Sequence, residues 1–575
     1  MCGIAGIVSS TDRELGPLLE EMLRRLQHRG PDGAGFVIGD SCEHAEDFES
    51  LDFSGKRGRF ALGHVRLAIT GGPEGLQPFR SGDGRLSLLH NGEIYNHREL
   101  GQQLADGVDV STGSDSEVLL RLVEEEYDGD LAGTMGRVLP KLDGVYALAV
   151  ADGQETIAVR DKIGVRQLYY CTGKQMVAFA SEKKPLLALM GASADIHRLP
   201  PGHKMVFRDG GYDLERFWNP SQIRPKIRTR KRETALLAYD DAIRDAVEKR
   251  VAGRPHIGII FSGGIDSVLI AHIVAEFGLP FTCYSAGRAG NSEDLRWAET
   301  VAERYGFPLQ SKGLSVEEIE RIIPDVIHSI EDHSQNQVEV AIPIYASVRM
   351  AQAAGERVLL TGQGADEIFG GYPWYARIVD REGYDRFLSR SWEDTFLLYK
   401  ECLEREDKIT MAHGIELRVP FLDPEVIRVA FSIAPELKIR PDGDTVLKRI
   451  HREYALALGV PEEVAFRPKK AAQHGANIQT ALQEIAATRG PDAALLEHVG
   501  YDPCKTVPET LGSSSRYGFR YASKDMWNPQ PDVQYYLDSE AARLGLLTGA
   551  ARFHWDETQR RLDAPGKRDL EGGTS

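Results

Sequence analysis

Residues 257–273 read IGIIFSGGIDSVLIAHI, and this stretch decides the fold of the larger part of the chain. A short apolar run, 257–260, suits a buried strand. Ser262, Gly263 and Gly264 then make a turn, and a helix is expected to open near Ser267, where apolar residues begin to recur at helical spacing. Strand, glycine-rich turn and helix in that order form half of a βαβ unit. The texture continues on both sides. ALLAYDDAIRDAVEKRV (235–251) is helical in pattern and FTCYSAG (281–287) reads as a strand. YASVRMAQAAGE (345–356) runs as a helix into the apolar RVLLTG (357–362). Alternation of this kind predicts an α/β domain with a parallel sheet and crossover helices.

Upstream the pattern changes. CGIAGIV (2–8), FALGHVRLAI (60–69), LSLLHNGEIYN (86–96), GVYALAVAD (144–152) and MVAFASE (176–182) are short strand-like runs bounded by Gly, Asn and Asp. Helical periodicity appears in between, as in GPLLEEMLRRLQH (16–28) and SEVLLRLVEEEY (116–127). This half predicts an α+β domain of stacked antiparallel sheets. The expected organisation is a first domain over 2–215, a Pro-containing basic linker over 216–234, an α/β domain over 235–495 and an extension of unassigned role over 496–575. The final GKRDLEGGTS (566–575) reads as a disordered end.

The bulk numbers narrow the function. A chain of 575 residues exceeds one ordinary core. A formal net charge of −17 argues against a nucleic acid or an anionic membrane as the main partner. No run approaches the roughly 18 apolar residues of a membrane span, and the start lacks the basic and long apolar regions of a signal peptide. Cytoplasm is the expected compartment. Cys2, Cys42, Cys171, Cys283, Cys402 and Cys504 form no CxxC pair, which argues against a disulfide framework or a structural zinc site.

Three clusters carry chemistry. The first starts at MCGIAGIV (1–8). If Met1 is removed, Cys2 carries both a thiol and an α-amine that can serve as its base. A Met-Cys start alone is commonly incidental. Here HRGPD (28–32), GHVRLAI (63–69), NGEIYN (91–96) and TGSDSEV (112–118) follow in order. The second cluster is SGGIDS (262–267), where glycines and a helix N-terminus can receive an anion. It is no Walker loop, because no Gly-Lys-Ser/Thr follows; GG alone would suit any strand–helix turn. The third is LLTGQGADEIFGGY (359–372), which in isolation could equally be a loop with capping carboxylates.

Taken together these motifs, over nearly all of residues 1–480, resemble the glutamine-hydrolysing asparagine synthetase family. The first half is similar to class II glutamine amidotransferase domains, of the N-terminal-nucleophile group, and the second to ATP pyrophosphatases. The resemblance implies that Cys2 attacks the glutamine side-chain amide to form a glutamyl thioester. Asn91 and Gly92 would form the oxyanion hole, Arg66 would hold the α-carboxylate, and Glu93 and Asp115 the α-ammonium. Phe261, Ser262, Gly263, Gly264, Asp266, Ser267, Ala286, Gly362 and Gln363 would bind ATP. Asp266 and Asp366 would bind Mg²⁺, and Lys469 would steady the departing pyrophosphate. The implied reaction turns aspartate, through an acyl-adenylate, into asparagine with ammonia carried from glutamine by an internal tunnel. A homodimer is allowed.

Two departures bear on the acceptor. Gln363 stands where the family commonly has a glutamate. In EDHSQNQVEVAIPIY (331–345), Asn336, Gln337 and Glu339 stand where bacterial members carry threonines and an arginine. An anion at Glu339 would repel a dicarboxylate, so the same chemistry on a different carboxylate is the alternative. SSSRYGFRYASKDMWNPQPDVQYYLD (513–538) reads as packing aromatics.

Overall fold

The computed structural model describes residues 2–72, 74–105, 110–191, 194–208, 211–468, 472–500 and 530–546. They divide into two compact units. The first runs to Gln222 and includes Met411–Ile415; the second begins at Ile223.

The first unit is built on two antiparallel sheets. One contains β1 (Gly3–Glu14), β2 (Ala34–Ile38), β3 (Ser41–Ala45) and β4 (Arg57–Val65). The other contains β5 (Phe79–Arg80), β6 (Ser87–Ile94), β7 (Gly144–Ala151) and β8 (Thr156–Arg160). Strands β9 (Tyr169–Gly173), β10 (Met176–Ala180) and β11 (Ile196–Arg198) complete the first sheet in the order β11-β9-β10-β1-β4-β2-β3. Strands β12 (His203–Arg208) and β13 (Gly211–Arg216) complete the second as β13-β12-β8-β7-β6-β5. Alternation sends Ile4, Leu62, Val37, Leu89 and Ala149 into one shared core between the sheets. Residues of the opposite pleat, such as Ala5, Ile7 and Val65, pack under α1 (Gly16–Arg24). On the other side, α2 (Asp115–Glu126) and α3 (Leu131–Val138) cover the second sheet through Leu119, Val123, Leu131 and Met135. The result is a four-layer α/β/β/α sandwich, in agreement with the stacked antiparallel sheets expected from the sequence.

The second unit has a wholly parallel sheet, ordered β16-β15-β14-β17-β18. Its strands are β14 (Ile257–Ile260), β15 (Phe281–Arg288), β16 (Leu309–Leu314), β17 (Val358–Leu360) and β18 (Glu416–Arg418). Helix α4 (Arg232–Val251) precedes the sheet, α5 (Ile265–Glu276) joins β14 to β15, and α6 (Glu293–Tyr305) joins β15 to β16. Helices α7 (Val316–Ile330) and α8 (Gln335–Ala353) return the chain to the far side of β14, where β17 pairs. Strand order therefore reverses at β14, and ligands of open α/β sheets bind outside the strand ends at such a point. Helix α5 starts at Ile265, two residues before the expected Ser267, because the turn closes at Gly264 and leaves Ile265 free to enter the first helical turn.

Residues 216–234, read as a solvated linker, are partly engaged: Thr229 pairs with Ile433 and its N–H donates to the Ser432 carbonyl at 2.7 Å. Among the described residues the cysteines are free thiols, and no helix is long and apolar enough to cross a membrane. Cys504, Lys469, residues 501–529 and the last ten residues lie outside the described residues.

Candidate functional sites

Cys2 precedes β1 and is 7% exposed. Its N–H donates to Oδ1 of Asn91, on β6 of the opposite sheet, at 2.9 Å. That bond fixes the Asn91 carboxamide, and its Nδ2 is buried with no hydrogen-bond partner among the described residues. A buried donor left unpaired costs about 1–3 kcal/mol, so its retention points to a ligand acceptor. Gly92 follows in β6, where a Cβ would lie 2.1 Å from the Val145 carbonyl oxygen; only glycine fits that approach.

The other expected glutamine-binding residues are drawn together by the loop at 70–72. Arg66, 5% exposed, donates through Nη2 to the carbonyls of Gly72 at 2.8 Å and Thr70 at 3.3 Å. The Thr70 hydroxyl donates to Oδ1 of Asp115 at 3.1 Å, and the Ile94 N–H donates to Oδ2 of Asp115 at 2.9 Å. Asp115 is the first residue of α2, where the helix end favours an anion. Glu93 is buried on β6, one residue before Ile94.

A further ionic group lies against Cys2, and no reading of the sequence assigned it a role. Arg29 is fully buried; its Nε donates to the Cys2 carbonyl at 3.1 Å and its Nη1 to Glu182 at 2.8 Å. Glu182 also meets His28 at 3.0 Å and Lys184 at 2.8 Å. Burial opposes its ionisation, but the charges of His28, Lys184 and Arg29 outweigh burial and hold its carboxyl well below the usual range. HRGPD flagged Arg29 by sequence; Glu182, 153 residues away, carried no flag.

In the second unit the turn after β14 and the loop after β17 meet. Gly263 has φ +65°, and a Cβ there would lie 2.7 Å from the backbone of Trp297 and Ala298. A Cβ on Gly362 would lie 2.8 Å from that of Asp266. Ser262 is exposed, Phe261 and Ala286 are buried, and the Ser267 hydroxyl donates to the Gly264 carbonyl at 3.0 Å. The N-cap of α5, Gly264, offers no side chain to its first N–H groups, which suits an anion.

Asp266 and Asp366 converge on one cation. The Lys448 ammonium lies 2.8 Å from both oxygens of Asp266 and 2.6 Å from Asp366. Nε2 of His451 meets Asp266 at 3.0 Å, and Nδ1 of His451 meets the Tyr239 hydroxyl at 2.8 Å. Burial lowers the His451 pKa despite Asp266, so a neutral ring donating from Nε2 and accepting at Nδ1 accounts for both contacts. Lys448 lies in DTVLKRIHREY (444–454), which matches no phosphate motif, so sequence reasoning missed it.

Glu339 does not stand as a free anion. It is 2% exposed on α8, accepts from Nε2 of Gln335 at 2.5 Å, and burial pushes its carboxyl up to about 7. Gln337 meets a cation: Nη1 of Arg405 donates to its Oε1 at 2.6 Å. The described end of the chain closes on this segment, since Oε1 of Gln534 accepts from the Gln335 N–H at 3.0 Å. Gln534 belongs to Pro531–Arg543, a helix whose Val533, Tyr536 and Leu537 are buried.

Comparison with known proteins gives the same two parts. The glutamine amidotransferase domain family matches residues 1–199, and the asparagine synthase family matches 238–395 and 380–538. A putative asparagine synthetase [glutamine-hydrolyzing] 1 of Methanocaldococcus jannaschii is 34% identical, covering 85% of this chain and 96% of its own. Asparagine synthetase [glutamine-hydrolyzing] 2 of Arabidopsis thaliana is 31% identical over 99% of this chain and 95% of its own. Among solved structures, the glutamine phosphoribosylpyrophosphate amidotransferase of B. subtilis is 26% identical, with a TM-score of 0.34 over 50% of this chain and 67% of that one. Relatives at this identity along almost their whole length fix the family: the chain belongs to the glutamine-hydrolysing asparagine synthetases, an ATP-using family of carbon–nitrogen ligases.

Proposed function

We propose that the protein amidates aspartate to asparagine with glutamine as nitrogen donor, splitting ATP to AMP and pyrophosphate. The observation that carries the glutaminase half is the buried Nδ2 of Asn91, without a hydrogen-bond partner among the described residues, on a carboxamide fixed by the Cys2 N–H. With Met1 removed, the Cys2 α-amine takes the thiol proton and Sγ attacks the glutamine amide carbon. Nδ2 of Asn91 and the Gly92 N–H then stabilise the oxyanion. The amide nitrogen takes the proton from the Cys2 α-ammonium and departs as ammonia, its C–N bond breaking as the oxyanion collapses, leaving the glutamyl thioester, which water hydrolyses to glutamate. Arg66 binds the substrate α-carboxylate; Glu93 and Asp115 bind the α-ammonium. Asn91→Ala is expected to lower glutaminase kcat by about 10²–10³-fold with a smaller change in KM, as loss of one oxyanion donor does. Steady-state glutamate release measures it.

In the synthetase half, Phe261, Ser262, Gly263, Gly264, Ser267, Ala286, Gly362 and Gln363 bind ATP. Asp266 and Asp366 would hold Mg²⁺. Their convergence on the Lys448 ammonium supports the fit, since two carboxylates with substrate phosphates suit that ion. When bound, the ion supplies positive charge to the phosphates. Lys448 adds a second fixed charge, and the assigned role of Lys469, outside the described residues, is to steady the pyrophosphate. The aspartate carboxylate attacks the α-phosphorus, pyrophosphate leaves, and ammonia displaces AMP from the acyl-adenylate. The first domain (2–215) performs the glutaminase chemistry and the second (235–495) the ligation, in the cytoplasm.

The test is an assay with Mg-ATP, glutamine and aspartate that follows AMP, pyrophosphate and asparagine together. Equal accumulation of all three is expected. Glutamate release without AMP or asparagine would overturn aspartate as acceptor and send the search to other carboxylates.

A further inference from the structure

Three stretches far apart in the chain meet around the turn after β14. The first is the turn itself, Ser262 to Gly264. The second is the start of α6, where the Ser292 hydroxyl caps the helix by accepting from the Leu295 N–H at 3.1 Å. The third is the segment at 466–468, and its Arg467 joins all three. Arg467 is 8% exposed. Its Nη1 donates to the Ser262 carbonyl at 3.3 Å and its Nη2 to Oδ1 of Asp294 at 2.7 Å. The guanidinium lies over the Trp297 ring, 5.0 Å from its centroid, and Glu293 adds a second carboxylate at 3.8 Å. Asp294 has little freedom to move. It sits in the first turn of α6, and Gly475 closes on it so nearly that a Cβ there would lie 2.0 Å from Oδ2. The Ser292 hydroxyl holds that approach by donating to the Gly475 carbonyl at 3.2 Å.

These contacts decide which way the turn faces. A trans peptide sets its C=O and N–H on opposite sides, so holding the Ser262 carbonyl on Arg467 turns the Gly263 N–H away from that side chain. This N–H meets no acceptor among the described residues. Gly263 itself, at φ +65°, is pinned against the backbone of Trp297 and Ala298. Both terminal nitrogens of Arg467 are engaged on protein oxygens and two carboxylates offset its charge, which suits a group that orients the turn. We propose that Arg467, anchored on Asp294, is a positioning residue for ATP: it orients the Ser262–Gly263 peptide so that the Gly263 N–H is fixed as a donor to the pyrophosphate part of the nucleotide. This rests on the ATP-binding reading above. A donor already aimed needs no reorganisation when the phosphates arrive, so the gain appears as affinity for them.

Isothermal titration of the full-length protein with Mg-ATP, with magnesium pyrophosphate and with AMP reads the effect, because AMP lacks the two phosphates that the turn would hold. Arg467→Met is expected to weaken Mg-ATP and pyrophosphate by about 10–100-fold, the worth of a hydrogen bond to a charged group, while AMP stays within about twofold. Arg467→Lys keeps a donor for the Ser262 carbonyl and should return to within about fivefold of wild type, the shortfall being the second nitrogen that lysine lacks. Asp294→Asn loosens the anchor and should weaken Mg-ATP by about threefold or more. The sign is informative: an aspartate acting only through its charge would repel the phosphates, and its loss would tighten the complex. AMP weakened as much as ATP would make Arg467 a merely structural residue and overturn the proposal. So would Mg-ATP held by Arg467→Met as by wild type, a lysine as weak as the methionine, or a tighter Mg-ATP complex in Asp294→Asn. The lysine and asparagine variants carry the test should the methionine variant not fold. If the wild type binds no pyrophosphate and holds Mg-ATP no more tightly than AMP, the ATP-binding reading fails and takes the proposal with it. A wild type that discriminates while the variants break the pattern counts against the proposal alone.

Discussion

Cys2→Ala is expected to cut glutamine-dependent amidation by about 10³-fold or more, the scale on which a lost nucleophile is felt, while amidation from ammonium salts persists. The alanine removes Sγ but leaves the backbone N–H that fixes Asn91. It also leaves the carbonyl that accepts from Arg29, so the pocket keeps its shape and its glutamine affinity. The two activities are measured side by side on one preparation, with isothermal titration of glutamine as the binding control. Retained glutaminase activity would remove Cys2 from the nucleophile role. Loss of both activities would show that the alanine disturbs more than the thiol.

Arg29→Met is expected to destabilise the first unit by about 3 kcal/mol, the low end for breaking a buried ion pair, because Glu182 keeps His28 and Lys184. For a unit of this size that lowers its melting temperature by about 6–12 °C. The sign with pH follows from the depressed Glu182 pKa. A carboxyl held below its unfolded value contributes stability that is fully present above about pH 4.3 and is lost as pH falls through the folded pKa. The gap between wild type and variant should therefore be flat from about pH 5 to 8 and should narrow only below about pH 4. Urea midpoints across that range check it. A gap that widens with acid would mean that Glu182 is not the partner that matters. The same variant should lose glutaminase activity, since Nε of Arg29 holds the Cys2 carbonyl.

Much of the fold was legible because its signals are local. Period-two runs around Ile4, Leu89 and Ala149 mark sheets buried on both faces of the sandwich, and the apolar run at 257–260 with its glycine turn marks a parallel strand feeding a helix. The residues proposed for the glutaminase site were picked out for another reason: each sits in a motif dense enough to be recognised, and Cys2, Arg66, Asn91 and Asp115 prove buried while Gly92 is partly so. Assignments that depended on chemistry at a distance fared differently. Glu339 reads in sequence as an anion hostile to aspartate; burial pushes its carboxyl up to about 7 against the hydrogen bond that Gln335 donates.

The sequence by itself determined the order of elements, the parallel and antiparallel classes of sheet, the glycine turns and the motif residues, because hydrophobic period and backbone allowance act over a few residues. Only the tertiary structure decided that Asn91 meets the Cys2 N–H across 89 positions, that Lys448 closes on Asp266 across 182, and that Arg467 reaches Ser262 across 205. Those meetings follow from strand register and from the reversal of strand order at β14. No local spacing encodes them, and burial then sets the charge that each group carries.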